Sequence, residues 1–406
     1  MFVKLAWRNI WRNPRRTTVI LIAVVIGVWS MVFLGALMRG MMDQMVRTGI
    51  ATLTGEIQIH LEGYRSDPVI ENSMHNPTEI EDALGRTLPP GSRWASRVRV
   101  GAVANNARHS GGVTLVGIEP ERERALSFIG SAVEQGRFLR AGDTNGIIVG
   151  RALLDKFETR LGRKLVIMSQ DTAREIASRA FRIIGVFRAE MEATEEAFVF
   201  VTKPAAQRML QMPSGISEVS IILPDRKAVE GVARAIQGAL PPPYEVETWK
   251  ELLPLISAYL AMMDGWIFIW YVVVFIAMGF GIANTMLMAV FERIKEFGLL
   301  KSFGMKPRGI VTSVLTESLM LLFVGIIVGS ALGISSVWMI SQRGIDLSAL
   351  AAGAEYAGIS KIIRPTLYLQ DIISADLVVL LLGLLVSLYP AVKAARFTPV
   401  EALAHH

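Results

Sequence analysis

The residues of this chain best suited to catalysis are three acids in one short stretch, Glu192, Glu195 and Glu196. Two carboxylates held close together can act as a general acid and a general base on a bound substrate. The stretch is strongly charged and lies between two predicted β-strands, which is more typical of a solvated loop. We therefore expect a solvated loop here rather than a catalytic pair.

Other catalytic and metal-binding patterns are missing from the sequence. It has no cysteine, and its 5 histidines form no cluster with the spacing of metal ligands. No serine lies in a G-x-S-x-G motif, and no G-x-x-x-x-G-K-[ST] phosphate-binding loop occurs. The sequence therefore predicts no catalytic residue, no metal site and no directly bound cofactor.

The composition indicates a protein that is partly inside a membrane. Of the 406 residues, 52% are hydrophobic and only 19% are charged, with a net charge of +6. A soluble domain is usually less apolar, and a simple bundle of membrane helices is usually less charged. Because the basic residues lie beside apolar runs, they indicate membrane topology, and we expect no nucleic-acid partner.

Four apolar runs are long enough to cross a bilayer as helices. They cover residues 17–39, 265–290, 310–340 and 374–392. The preceding segment, 1–16, is basic and carries Leu5, Trp7, Ile10 and Trp11 roughly on one helical face, which predicts an interfacial helix that Pro14 breaks or bends before the first span.

The distribution of positive charge predicts the orientation of these spans. Lysine and arginine are concentrated in 1–16, in the loop 291–309 and in the tail 393–406, and they are sparse in the loop 341–373. By the positive-inside rule, both termini and the 291–309 loop are expected in the cytoplasm. The long segment 40–264 then lies on the opposite side. Its short β-rich runs alternate with isolated helices, which predicts a compact α+β domain of two lobes.

Two features inside the third span favour contacts with protein. Gly325, Gly329 and Gly333 are spaced by four, so they share one helical face and allow another helix to approach closely. The alternative is that they reflect the general frequency of glycine in membrane helices. Glu317 is costly in lipid and is expected to face protein, water or the interface, with a functional role and simple snorkelling both open.

The start of the second span is rich in methionine and aromatic residues. An aromatic belt at the membrane surface is the default interpretation. The alternative is an adaptable apolar surface for acyl chains. Under that alternative the candidate lipid or substrate contacts are Phe33, Met263, Trp266, Phe268 and Trp270.

Three segments carry a resemblance to a known family. They are LAWRNIWRNPRRT at the start, ERIKEFGLLKSFGMKPRGI in the 291–309 loop and YPAVKAARFTPVEAL in the tail. Together they resemble the FtsX/MacB-like permeases of ATP-binding cassette (ABC) systems. In that family the loop forms the coupling helix that contacts the ATPase. The resemblance implies this role for Glu292, Arg293, Lys295, Glu296, Phe297, Gly298, Leu300, Lys301 and Gly304.

The resemblance also implies an architecture and partners. The expected protein is a permease of the bacterial inner membrane, with four membrane helices and a MacB-like periplasmic α+β domain in which a second lobe is inserted at about 121–217. Its expected partners are a cytoplasmic ATPase dimer that binds ATP and Mg²⁺, a second permease chain and membrane lipid. The permease relays ATP-driven motion to its periplasmic domain, a mechanism known as mechanotransmission.

One segment favours a branch of the family. The sequence MRGMMDQMVRTGIATLTGEIQIHLEGY is similar to the LolC/LolE lipoprotein-releasing type. This branch implies a lipoprotein substrate and leaves open a periplasmic carrier. Efflux of drugs or peptides, and FtsX-type regulation of a cell-wall hydrolase, stay open as alternatives with the same architecture.

Overall fold

The structure is a computed structural model that describes residues 2–75, 77–346 and 362–398. Parts of the predicted 341–373 loop and 393–406 tail lie outside these ranges. The chain forms two compact units. The helical unit is built from the described parts of 1–44, 259–349 and 362–406, and the α+β unit is built from the described parts of 45–258.

The helices and strands are numbered in chain order. The α-helices are α1 (Phe2–Arg12), α2 (Pro14–Gly49), α3 (Pro77–Thr87), α4 (Pro120–Glu123), α5 (Ile129–Ala132), α6 (Arg151–Lys156), α7 (Glu192–Ala197), α8 (Lys203–Met209), α9 (Val229–Ala239), α10 (Trp249–Leu252), α11 (Pro254–Glu292), α12 (Ile294–Ser302), α13 (Pro307–Arg343) and α14 (Leu369–Arg396). The strands are β1 (Ile57–Leu61), β2 (Arg93–Asn105), β3 (Ser110–Ile118), β4 (Val133–Gly136), β5 (Gly146–Gly150), β6 (Lys164–Gln170), β7 (Ile176–Phe187), β8 (Phe198–Thr202), β9 (Glu218–Ile222), β10 (Tyr244–Thr248), β11 (Ile345–Asp346) and β12 (Ile362–Ile363).

Four helices in the described part of the chain are long and apolar enough to cross a membrane: α2 with the turn that follows it, α11, α13 and α14. Each extends beyond the run of residues that hydropathy marks, because a helix can continue past the apolar segment that identifies it. Pro307 is the first residue of α13, where a backbone N–H would have no hydrogen-bond partner inside the helix, so proline is tolerated there. Gly344, with φ 75°, ends the same helix.

The short helix α1 does not present one common face. Ile10 is buried in the core of the helical unit, whereas Trp7 and Trp11 are exposed and stack edge to face with their ring centroids 6.0 Å apart. The predicted grouping of Ile10 with the two tryptophans is therefore wrong. One side of α1 packs against the core of the helical unit through Ile10, and another side exposes the two indole rings.

The α+β unit is organised around one sheet with the strand order β10-β1-β9-β2-β3-β8-β5-β7-β4, and β6 pairs with β2 and β7. The long strand β2 is shared by two lobes, since Arg93–Arg97 pair with β9 and Val98–Asn105 pair with β3. The core of the second lobe already includes Val98 and Leu115. This lobe therefore begins before the predicted start at 121, because a continuous strand gives no local signal where it changes partners.

A buried charge cluster lies between the turn Ile50–Thr54 and the part of β2 that pairs with β9. Arg97 donates to Glu123 at 2.8 and 3.0 Å and to Glu218 at 3.1 Å, and all three side chains are buried. Arg97 also donates to the carbonyl oxygen of Leu53, a residue with φ 67°. Burial alone acts to lower the pKa of Arg97, but the two glutamates prevail and raise it.

The acidic stretch 192–196 is a short helix, so the predicted solvated loop is wrong. Glu195 is buried, and its carboxylate accepts hydrogen bonds from the backbone N–H groups of Ala152 and Ala189, both at 2.9 Å. Ala152 lies in the first turn of α6, where N–H groups lack partners inside the helix. Glu195 is thus a capping group for α6.

Candidate functional site

The loop between α11 and α13 folds into the short helix α12 because its apolar residues recur at helical spacing. Ile294, Phe297 and Gly298 form its buried face. Gly304 follows with φ 88°, a backbone conformation that favours glycine, and reverses the chain towards α13. One face of α12 therefore packs against the membrane helices, and the opposite face is exposed.

An ionic network holds the first turn of α12. The carboxylate of Glu317 in α13 accepts from Arg16 Nη2 of α2 and from Arg293 Nη1, both at 2.9 Å. Arg293 Nε donates to Glu296 at 3.0 Å, and Arg12 of α1 reaches Glu296 at 2.7 Å. Glu317, which the sequence left open between protein, water and interface, faces two arginines.

Glu296 is charged in this network at neutral pH. Partial burial acts to raise the pKa of its carboxyl group, but hydrogen bonds from Arg12 and Arg293 outweigh burial and lower the pKa. The network therefore joins α1, α2, α12 and α13 through side-chain ion pairs.

A second contact holds the last turn of α12. Lys301 Nζ donates to the carbonyl oxygens of Ala395 at 2.5 Å and Phe397 at 2.6 Å, at the C-terminal end of α14. These carbonyls lack partners inside the helix, and a cation is favourable at this end of the helix dipole. Nearby, Lys393 lies 5.0 Å from the ring centroid of Phe291. The helix α12 is thus fixed at both ends.

The predicted coupling residues do not share one surface. Phe297 and Gly298 are buried, and Arg293, Glu296 and Lys301 contact other parts of the helical unit. Glu292 is exposed and lies 3.7 Å from Arg16. The predicted residues on the exposed side are completed by Lys295, Leu300 and Gly304.

The exposed side of α12 includes two apolar residues that the sequence reasoning missed. Phe303 is 85% exposed and Leu299 is 48% exposed, and Leu300 lies beside them. Leu299 and Phe303 are four positions apart, which places them on one helical face. This spacing is the pattern from which the sequence could have predicted a shared apolar surface. We call Leu299, Leu300 and Phe303 the exposed edge.

The three glycines of α13 contact α2 at matching intervals. A Cβ atom built on Gly325 would lie 2.6 Å from Val24 Cγ1, and one on Gly333 would lie 2.8 Å from Val32 Cγ1. A Cβ on Gly329 would lie 2.8 Å from Val28 Cβ. Each glycine thus packs against one buried valine of α2. The two helices lie so close together that a side chain at any of the three glycine positions would clash. We call this contact the glycine–valine ladder.

At the opposite end of the helical unit, Arg39 joins three membrane helices. Its guanidinium donates to Asp371 of α14 at 2.8 and 3.1 Å and lies 2.8 Å from Asp264 of α11. Tyr368 donates to Asp43 in the same region. At this end of the bundle, α2, α11 and α14 are therefore joined by ionic contacts.

The candidate lipid contacts fall into different environments. Trp266 and Phe268 are exposed on α11, but Met263 is buried in the helical core. Trp270 is half-buried, and Phe33 is half-buried and stacks on Trp29 with centroids 5.7 Å apart. The structure therefore does not bring the five residues together on one surface. Within the described residues, no group of three acids or histidines could hold a metal ion.

The architecture defines a class of protein. Four membrane helices carry a large α+β domain between the first and second spans and a short anchored helix between the second and third. Residues 17–239 match the MacB-like periplasmic core domain, and residues 267–399 match the FtsX-like permease C-terminal family. The chain belongs to the MacB/FtsX-like family of ABC transporter permeases. The resemblance and the predicted fold class are both confirmed.

Two curated relatives represent different branches. The lipoprotein-releasing system transmembrane protein LolC of Xylella fastidiosa (strain 9a5c) is 24% identical over an alignment of 338 positions, which covers 79% of each chain. The pyoverdine export ATP-binding/permease protein PvdT of Pseudomonas fluorescens (strain Pf0-1) is 25% identical over an alignment of 441 positions, which covers 99% of this chain and 59% of that protein.

A solved structure is similar over part of the chain. The crystal structure of the periplasmic region of MacB from Actinobacillus actinomycetemcomitans aligns with a TM-score of 0.36 at 12% identity, covering 52% of this chain and 97% of that one.

Proposed function

We propose that this chain is the membrane subunit of an ABC transporter that releases lipoproteins from the bacterial inner membrane. In this proposal both termini and α12 are cytoplasmic and the α+β unit is periplasmic. A separate ATPase dimer binds ATP and Mg²⁺, because this sequence contains no phosphate-binding loop. The permease works as a pair of chains.

The observation that carries the proposal is the exposed edge on an anchored helix. Phe303 and Leu299 offer an apolar contact, and the nearby Lys295 is also exposed. Aromatic side chains are enriched in the centres of protein interfaces. Because α12 is tied to α1, α2, α13 and α14, a push on the exposed edge is passed to these helices rather than absorbed by a loop.

Lipoprotein is the proposed substrate because LolC matches this chain over an equal share of both proteins. A lipoprotein carries acyl chains that an exposed apolar helix surface can bind, and Trp266 and Phe268 offer such a surface. A periplasmic carrier would accept the released lipoprotein. Small-molecule export is the second candidate, since PvdT matches 99% of this chain.

The coupling role is tested by copurification with the ATPase. Phe303→Asp is expected to abolish recovery of an ABC-type ATPase with the tagged full-length chain, because the charge cannot enter an apolar pocket. Ile176→Asp is the matched control, since Ile176 is an exposed apolar residue of the α+β unit, outside the membrane spans and the loop. Equal recovery with Phe303→Asp and with the parent chain would refute the assignment of the exposed edge.

The substrate is tested by mass spectrometry of the complex purified in lipid nanodiscs. Triacylated peptides are expected to copurify and to leave the complex when ATP is added. Their absence, together with ATP-dependent export of a small molecule from the same cells, would favour the second candidate.

A further inference from the structure

We propose that Glu317 is a positioning residue that fixes the place of α12 on the membrane helices. The inference rests on the proposed coupling role of α12, and it adds how that helix is held in register. Glu317 lies 10 positions after Pro307, about 15 Å along α13 by the rise of a helix. Its side chain is only 5% exposed.

The geometry gives each carboxylate oxygen a separate partner. Oε1 accepts from Arg16 of α2, and Oε2 accepts from Arg293, the residue that precedes α12. These arginines belong to segments 277 positions apart in sequence (293 − 16), yet one carboxylate bridges them. Both guanidiniums are largely buried, at 7% and 13% exposure. Rotation or sliding of α12 would break one of the two contacts.

The surrounding charges are balanced. Arg12, Arg16 and Arg293 meet Glu292, Glu296 and Glu317, which gives three positive and three negative groups. These ion pairs form one unbranched chain, in which Arg293 links Glu296 to Glu317 and Arg16 links Glu317 to Glu292. Glu317 lies in the interior of the membrane helix α13. Glu292, in contrast, is the last residue of α11, and Glu296 lies in the first turn of the short helix α12.

Such a network is better suited to define a position than to stabilise a fold. Buried ion pairs are weakly stabilising at best, and an apolar replacement of the whole set is often neutral or stabilising. A polar contact, in contrast, is directional and is satisfied by one arrangement of its partners. Replacing the triad Arg16, Glu317 and Arg293 by apolar residues should therefore keep the fold and lose the register of α12.

The test measures the position of α12 in the full-length chain, without an ATPase. The sequence has no cysteine, so two introduced cysteines carry spin labels at chosen sites. Lys295→Cys places one label on α12. Met339→Cys places the other at an exposed position near the far end of α13, about 48 Å from Pro307 by helical rise. Double electron–electron resonance then gives the distance distribution between the labels.

The triple variant Arg16→Met, Glu317→Leu and Arg293→Met is compared with the parent. We expect an unchanged or higher thermal midpoint and a distance distribution about twofold broader or displaced. Glu317→Gln, which keeps the shape but loses the charge, should broaden the distribution by a smaller amount. It provides a second variant that requires little repacking.

Ser330→Ala is the matched control. Ser330 lies on the same helix and donates to Asp376 at 2.8 Å, away from the α12 network. We expect this substitution to leave the distribution unchanged. An unchanged distribution in the triple variant would overturn the proposal, as would equal broadening by Ser330→Ala. Since no ATPase is present, these results are independent of whether the exposed edge binds one.

Discussion

Substitution of Gly329 by alanine tests the glycine–valine ladder. The new Cβ would lie 2.8 Å from Val28 Cβ and 2.9 Å from the backbone oxygen of Val25. Carbon atoms pack comfortably at about 3.5–4.0 Å, so α13 must move away from α2 by several tenths of an ångström. Gly279→Ala is the matched control, since its Cβ would meet Val386 Cγ2 at an ordinary 3.5 Å.

The expected cost follows from two opposing effects. Both substitutions gain the helix propensity of alanine over glycine, about 1 kcal/mol. Overpacking at Gly329 costs about 1–3 kcal/mol, and separation of the helices also weakens the contacts at Gly325 and Gly333. The free energy of unfolding of Gly329→Ala should therefore be lower than that of Gly279→Ala by about 1–3 kcal/mol.

The measurement is unfolding of the full-length chain by SDS titration in mixed micelles, followed by tryptophan fluorescence. Monodisperse elution from a sizing column checks that each variant is folded before titration. Equal stability of Gly329→Ala and Gly279→Ala would refute the close approach of α13 to α2. A lower stability of Gly279→Ala would refute it as well.

A further comparison separates side-chain clashes from backbone clashes. The three atoms nearest to a Cβ on Gly325 belong to the side chain of Val24, so Val24→Gly should rescue Gly325→Ala with a coupling energy of about 0.5–3 kcal/mol. Val28→Gly should rescue Gly329→Ala less, because the backbone oxygen of Val25 stays in place. Equal rescue in the two double-mutant cycles would contradict this reasoning.

Three other predictions concern the charged contacts. Arg97→Met leaves the buried Glu123 without its cation and leaves Glu218 with only Arg99 at 3.4 Å, so it should lower the stability of the α+β unit by about 3–5 kcal/mol in urea titrations. Arg137 donates to Asp143 and holds the pKa of that carboxyl below its ordinary 3.8. The stability that this pair contributes is present above pH 3.8 and is lost as the pH falls through the lowered pKa, so the difference between the parent and Asp143→Asn should shrink on acidification. Lys301→Met removes the cation from the end of α14 and should cost about 0.3–1 kcal/mol, seen as faster hydrogen exchange in the last turn of that helix.

Local patterns in the sequence are sufficient for the architecture. Membrane helices are identified by the length of their apolar runs, and the glycine face of α13 follows from a spacing of four, because both are properties of a single helix. The coupling role of the 291–309 loop stays a prediction from resemblance to a family. Apolar spacing in that loop marks Ile294 and Phe297, which are buried, but also Leu300, which is exposed. The strands of the α+β unit are likewise marked by short β-rich runs between turn residues.

Contacts between distant segments are decided by the tertiary structure. Hydropathy shows that Glu317 is costly in lipid, but only the fold brings Arg16 and Arg293 to its two oxygens. In the sequence, Lys301 is one cation of a basic loop, whereas in the fold it donates to a carbonyl oxygen at the end of α14. The sequence predicts that Glu195 is solvated, whereas in the fold it accepts a hydrogen bond from a backbone N–H at the start of α6. In each case the side chain is charged, and its partner lies tens or hundreds of positions away, where no periodicity reaches.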